Sequence, residues 1–231
     1  RLARVRKGFH MAVKVIEVHE SVYGENDRIA AETRAAMKRE GTLLVNLMSS
    51  PGSGKTTLLL ATARALAGRL RMGVMEADID ATGDAEAMLS AGIDSIQVHT
   101  GGQCAMDAQM TKEAVDAVDV SAYDVLVLEN VGNLVCPAEV DTGASVNVVI
   151  LSVPEGDDKP LKYPLMFEKA DVVLVSKTDV RAYFPFDDEA FEERVRALNP
   201  RAQVITLSAK TGEGMEGWIG WLESALADWR S

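Results

Sequence analysis

Cysteine is scarce. The 231 residues hold two, too few for a disulfide scaffold, and a reducing cytoplasm is the expected compartment. Long apolar runs are also lacking, and none approaches the roughly 18 residues of a membrane-spanning helix. Nor is there a basic excess. The formal net charge of -11 argues against nucleic acid or a membrane as the main partner, but it leaves nucleotides open because a phosphate loop neutralises charge locally. Repeats, low-complexity tracts and convincing linkers are missing too. With 47% hydrophobic and 26% charged residues, the chain reads as one globular domain over residues 13–231, with an N-terminal arm at 13–41. Residues 1–12 read as a tag remnant or mobile leader. Arg1 to His10 are basic without the apolar core of a secretory signal, and Met11 reads as the natural start.

The richest stretch runs from Val45 to Thr57. An apolar strand-like run enters Ser49-Ser50-Pro51-Gly52-Ser53-Gly54-Lys55-Thr56-Thr57, and helical periodicity follows through Leu58, Leu59, Thr62 and Leu66. Strand, glycine-rich turn and helix together make a phosphate loop. With Pro51 shaping the turn, backbone N–H groups from Gly52 to Thr57 and the helix N-terminus would converge on phosphate oxygens. Lys55 would reach the outer phosphates, and Thr56 would place its hydroxyl on Mg2+. The common signature begins with Gly where this chain has Ser49.

Further along, strands alternate with helices, which predicts an α/β fold with a mostly parallel sheet, helices on both faces and a short N-terminal helical arm. Val13 to Val18 is a short apolar segment, and Glu25 to Arg39 is a helix with Ile29, Ala30, Thr33, Ala36 and Met37 on one side. Predicted strands cover Leu43–Met48, Met72–Glu76, Asp94–His99, Tyr123–Glu129, Val146–Val153, Val172–Ser176 and Gln203–Leu207. Helices are expected at Asp107–Val118, Leu165–Ala170, Asp187–Leu198 and Met215–Trp229, the last with Trp218 and Trp221 facing the core. Asp78, just past the second strand, is a candidate for Mg2+ or the attacking water, while Asp80 and Asp84 could equally cap a following helix. Glu129 ends a buried strand in the position of a Walker-B acid. Gly132, three residues on, would let a backbone N–H approach a γ-phosphate.

The base is read from two late loops. After a strand, Lys177 can cover the base face while Asp179 accepts from the ring N–H and exocyclic amine of guanine, a donor pair that adenine lacks. Ser208-Ala209-Lys210 follows the next strand and would offer a backbone N–H to the guanine O6. The two loops, in this order after a phosphate loop, resemble the guanine-reading loops of P-loop GTPases, although adenine stays open. Ser176 stands where that pattern has Asn, which predicts the loss of a loop-bracing amide.

Three runs narrow the resemblance: Asn46 to Thr57; Glu129-Asn130-Val131-Gly132-Asn133-Leu134-Val135-Cys136-Pro137; and Glu155-Gly156-Asp157-Asp158-Lys159-Pro160-Leu161-Lys162-Tyr163-Pro164. From about Val13 to its end the chain resembles the HypB family of hydrogenase maturation factors, in which Ser49 is usual. The resemblance implies a P-loop NTPase of the SIMIBI type, a slow Mg2+-dependent GTPase that dimerises with nucleotide. It also implies delivery of nickel to the large-subunit precursor of [NiFe] hydrogenase, together with a HypA-like nickel metallochaperone. Lys55 would stabilise the phosphates, with Thr56, Asp78 and Glu129 around the Mg2+.

In that family an equivalent of the Cys104 and Cys136 pair builds a metal site at the dimer interface, with His directly after the first Cys. This chain has Ala105 there, and Gln109 at a second position where relatives often carry His. Thiolates suit Ni2+ or Zn2+, and His99 could join only by turning towards the loop. The opposing reading is two buried, small apolar cysteines. Two other functions stay open: a GTP-switched docking protein that carries no metal, and a nickel-delivery GTPase for another enzyme such as urease.

Overall fold

Apolar runs of five to seven residues alternate with amphipathic helices along the chain, and buried strands of that kind pair in parallel when helices cover both faces. The computed structural model of the protein describes residues 19–78, 88–89 and 91–231. Its seven-stranded sheet is wholly parallel, in the order β3-β2-β4-β1-β5-β6-β7. The strands are β1 (Leu43–Ser49), β2 (Met72–Asp78), β3 (Asp94–His99), β4 (Val125–Glu129), β5 (Val146–Ser152), β6 (Val172–Ser176) and β7 (Gln203–Thr206). Every residue of β1, β4 and β6 is buried. The expected Leu165–Ala170 helix is the shorter Pro164–Glu168, and several short elements escaped the sequence pattern, among them a helix at Cys136–Glu139 and 3-10 turns at Val120–Ala122, Val153–Glu155 and Thr178–Tyr183. The apolar segment Val13 to Val18 and the 1–12 leader lie outside the described residues, as do Asp80, Asp84 and the side chain of Asp78.

Helix α1 (His19–Glu40) is the predicted arm, six residues longer at its start than the apolar spacing indicated. Its Ala30 and Met37 are fully buried, and Ile29 and Ala30 pack on Ala108 of α3 (Ala108–Asp116). Helix α2 (Lys55–Leu66) and the C-terminal α8 (Met215–Arg230) cover one face of the sheet, where Leu47, Val127, Ile150 and Leu174 form a core with Leu58, Trp218 and Leu222. Both predicted core tryptophans pack: Trp218 donates from Nε1 to Thr62 Oγ1 at 2.8 Å and stacks on Trp221. On the other face Phe167 and Phe191 meet edge to face beneath β5 and β6, each burial contributing about 1.5–3 kcal/mol. Phe191 belongs to α7 (Asp188–Leu198), while Phe167 is on α6 (Pro164–Glu168), just after α5 (Lys159–Lys162). The short helix at Cys136–Glu139 is α4.

The chain crosses from one half of the sheet to the other at β1, which lies between β4 and β5. In open parallel sheets, ligands bind beyond the carboxyl ends of the strands at such a reversal. The phosphate loop leaves β1 at that point.

Candidate functional site

Residues 50–54 bend from β1 into α2, and Gly54 makes the bend possible by taking φ 101°, a conformation that costs a side-chain-bearing residue strain. Lys55, the first residue of α2, turns its amine back over the loop to within 3.0 Å of Ser49 Oγ and 3.9 Å of Glu129 Oε1. The serine that replaces the signature glycine therefore holds the lysine head. The second contact is an ion pair too long for a hydrogen bond. Thr56 sits half-buried in the first turn of α2, and Glu129 is buried at the end of β4. The hydroxyl of Thr56 and the carboxylate of Glu129 are hard oxygen donors of the kind Mg2+ takes. Ser53 Oγ, buried within the same loop, has no hydrogen-bond partner among the described residues, which fits a loop shaped around a polar ligand.

Gly132 lies so close to the loop that a Cβ there would sit 3.2 Å from the nitrogen of Pro51 and 3.3 Å from its Cα. Glycine lets the turn after β4 approach the phosphate loop this closely, where a Cβ would push Pro51 away by a few tenths of an ångström. Asp78 ends β2 beside His99 in the β2–β3 register, on the same rim of the sheet.

The residues that the sequence reading assigned to the base line one cavity. Ser53, Gly54 and Thr57 face Lys177 and Asp179 and the Ser208-Ala209-Lys210 turn across a cavity of about 220 Å³. Lys177 adopts a left-handed backbone (φ 60°), which turns its side chain over Gly54 so that Nζ donates to the carbonyl of Gly52 at 2.6 Å. Asp179 Oδ1 accepts from Ser208 Oγ at 2.7 Å, and Lys210 Nζ stands 3.9 Å from Oδ2. One carboxylate oxygen is thus fixed by the neighbouring loop.

The expected loss of a loop brace at Ser176 is corrected by the structure. Its hydroxyl donates to the carbonyl of Ser53 at 2.7 Å, so a shorter side chain on the last residue of β6 still ties the base loop to the phosphate loop. A second brace went unread in the sequence. Glu155 accepts from Ser50 Oγ in the phosphate loop, and from the backbone N–H and hydroxyl of Ser152 at 2.7 and 2.6 Å. The Ser152-x-x-Glu155 capping pattern after β5 was the signal that could have revealed it.

The cysteines depart from the expectation of two separate thiols. Cys104 and Cys136 are joined by a disulfide, with Cα atoms 6.1 Å apart. The loop after β3 and the start of α4 meet above the sheet, and that approach brings the sulfurs together. Cys104 is exposed and Cys136 half-buried, so neither is a core residue. Asn133 Nδ2 points at Cys136 Sγ from 3.1 Å. Oxidised, the pair does not ligate; reduced, it offers two sulfurs to one ion. Among the described residues no group of three or more His, Cys, Asp and Glu side chains could hold a metal, so His99 does not join the pair. Ala105 is buried and Gln109 bonds Glu113, so neither position supplies a third ligand. Nor, among the described residues, is any helix long and apolar enough to cross a membrane.

Residues 43–206 match the family model described as "CobW/HypB/UreG, nucleotide-binding domain". The chain is 44% identical over 210 residues to the hydrogenase maturation factor HypB of Azotobacter vinelandii, an alignment covering 91% of this chain and 69% of that protein. It is 38% identical over 219 residues to the hydrogenase/urease maturation factor HypB of Helicobacter pylori strain J99, covering 92% of this chain and 89% of that protein. Its fold superposes on the crystal structure of HypB from Helicobacter pylori in complex with nickel with a TM-score of 0.84 and 39% identity, covering 90% of this chain and 98% of that one. By fold, phosphate loop and sequence alike, the chain belongs to the CobW/HypB/UreG family of P-loop nucleotide-binding proteins and, within it, to the HypB hydrogenase maturation factors.

Proposed function

We propose that the protein binds GTP with Mg2+, hydrolyses it slowly to GDP and phosphate, and uses that cycle to time nickel delivery to the large-subunit precursor of [NiFe] hydrogenase. The observation that carries the guanine assignment is the fixed carboxylate of Asp179, bonded to Ser208 and facing the cavity beside the phosphate loop. A carboxylate held there accepts two hydrogen bonds from guanine and repels the lone pair that adenine would present. Lys177 covers one face of the base, and the backbone of the Ser208 to Lys210 turn receives O6. In hydrolysis a water attacks the γ-phosphorus, the bond to the β–γ bridging oxygen breaks, and GDP leaves with the negative charge. Lys55 lies where it meets that charge, Gly132 brings a backbone N–H to the γ-phosphate, and Asp78 orients the water. Thr56, Asp78 and Glu129 would hold the Mg2+, which spreads charge from the β- and γ-oxygens.

The nickel role rests on the HypB membership together with the paired sulfurs of Cys104 and Cys136. In the reduced protein they hold the cargo Ni2+, or Zn2+ in its place. Two sulfurs per chain leave the coordination incomplete, and a nucleotide-dependent homodimer would supply four. A HypA-like metallochaperone would act as donor or acceptor. A second reading, a GTP-switched docking protein with no metal of its own, draws on the absence of a third ligand at the cysteine pair among the described residues. Delivery to urease draws on the double name of the Helicobacter pylori relative.

Competition binding tests the core of the proposal. GTP and GDP displace a fluorescent guanine nucleotide while ATP does not. Asp179→Asn transfers the preference to xanthine nucleotides, whose 2-carbonyl accepts from the new amide. Equal displacement by ATP and GTP would sink the guanine assignment.

A further inference from the structure

Asn130 is 1% exposed and follows Glu129 directly in the turn that leads to Gly132. Three of the four hydrogen-bonding positions of its side chain are engaged, across three elements. Oδ1 accepts from the backbone N–H of Met106 at 3.1 Å, in the loop that carries Cys104, and from its own neighbour Val131 at 2.9 Å. Nδ2 donates at 3.0 Å to Asn46 Oδ1 on β1, the strand that feeds the phosphate loop. Asn46 in turn donates to Asn147 Oδ1 on β5 at 2.9 Å, and the Asn130 backbone N–H bonds the Leu47 carbonyl at 3.0 Å. Met106 is itself fully buried, so the N–H of this otherwise exposed loop is anchored in the protein interior. A chain of buried amides with matched partners tolerates few alternative arrangements, and a shift at one end has to be accommodated at the other.

We infer that Asn130 is a positioning residue that couples the phosphate-facing turn at Glu129 to Gly132 with the spacing of Cys104 and Cys136. This rests on the nucleotide reading above and goes beyond it by naming the contact that carries nucleotide state to the sulfur pair. The turn lies against Pro51 on one side through Gly132 and ends in Cys136 on the other, six residues after Asn130. Met106 lies two residues after Cys104. Asn130 is therefore the side chain that holds both sulfur-bearing segments in one frame with β1. Movement of the turn towards or away from a γ-phosphate pulls on the Met106 N–H and changes the distance between the two sulfurs.

The test uses the reduced full chain. Nickel and, separately, zinc are titrated with GDP and with a non-hydrolysable GTP analogue, and the nickel–thiolate charge-transfer absorbance is recorded. The native protein is expected to show at least about a fivefold difference in nickel affinity between the two nucleotides, the lower end of ordinary coupling between sites. In Asn130→Ala the ratio falls towards one while guanine-nucleotide affinity stays within about threefold. Asn130→Asp, which keeps the acceptor for Met106 and Val131, restores part of the ratio. A merely structural role would lower both affinities alike and leave the ratio untouched. If Asn130→Ala does not fold, Asn46→Ala releases the same amide while leaving its acceptor contacts in place, and it is expected to halve the ratio or better. An unchanged ratio in the variants, or no nucleotide effect in a native protein that binds guanine nucleotide, overturns the inference. Failure of the native protein to bind guanine nucleotide at all would instead strike the proposed function.

Discussion

The two halves of the sheet on either side of β1 are built differently. On the β5–β6–β7 side the loops are fastened to the phosphate loop before any ligand arrives. Ser176 bonds Ser53, Lys177 bonds Gly52, Ser208 holds Asp179, and Glu155 holds Ser50. On the β4–β2–β3 side the fastening is looser around the charged groups, although Asn130 ties the turn after β4 to β1. Lys55 and Glu129 are separated by 3.9 Å, and the outer strand β3 is nowhere fully buried. On the proposed reading, base recognition would be preorganised and cost little ordering on binding, whereas the charged groups of the other half would be drawn together by the phosphates they receive.

The largest expected effect breaks the phosphate-facing half alone. Lys55→Ala is expected to reduce turnover by about 10²–10³-fold, while the preference for guanine over adenine stays intact in the displacement assay. Gly132→Ala comes next. Its Cβ meets Pro51 at 3.2–3.3 Å, and the resulting shift of the turn is expected to cost about 10²-fold in turnover with little change in GDP affinity. An equal loss in both quantities would show that the two halves are not separable. Ser176→Ala acts on the fastened half: removing one hydrogen bond of about 1 kcal/mol should weaken GDP about fivefold by titration calorimetry, with the rate of bound GTP hydrolysis nearly unchanged.

The smallest expected effect serves as a control remote from both halves. At the amino-terminal ends of the strands, opposite the phosphate loop, Asp124 accepts from Arg71 on its backbone and side chain, and from Arg230 at the end of α8. Its hydrogen bonds from the Arg71 side chain, and then from Arg230, hold its carboxyl well below the usual carboxylate range, against the opposing effect of burial. A depressed carboxylate adds stability that is complete above about pH 4, its unfolded value, and is lost as pH falls towards the lower folded value. The native melting temperature should therefore drop more steeply below pH 4 than that of Asp124→Asn, with nucleotide specificity identical in the two. Parallel melting curves would remove Asp124 from the acid response.

Much of this was legible beforehand because the signals were local. The strands Asp94–His99 and Val172–Ser176 have the bounds their apolar runs predicted, and the loops after β6 and β7 face the phosphate loop across one cavity. A phosphate loop is a contiguous code, since its glycines, lysine and threonine act through adjacent backbone. What escaped depends on partners far apart in sequence. The brace from Ser176 requires knowing that Ser53, 123 residues away, turns its carbonyl towards it. The approach of Cys104 to Cys136 depends on two loops meeting, and the bond between Asn130 and Met106 spans 24 residues. The short helix at Cys136–Glu139 is stabilised by where it docks, with Pro137 and Ala138 buried, rather than by any periodicity of its own.

The hydroxyl of Ser176 has a further consequence, for the timing of the cycle. It offers the Ser53 carbonyl one donor on a freely rotating bond, where an asparagine amide would offer two in a fixed plane. In the proposed cycle, a difference of one hydrogen bond would amount to about fivefold in the rate at which the base loop lets go of spent nucleotide. In the cycle proposed above, such a joint would let the protein reload from the surrounding nucleotide pool, so that the ratio of GTP to GDP around it would set how often it resets.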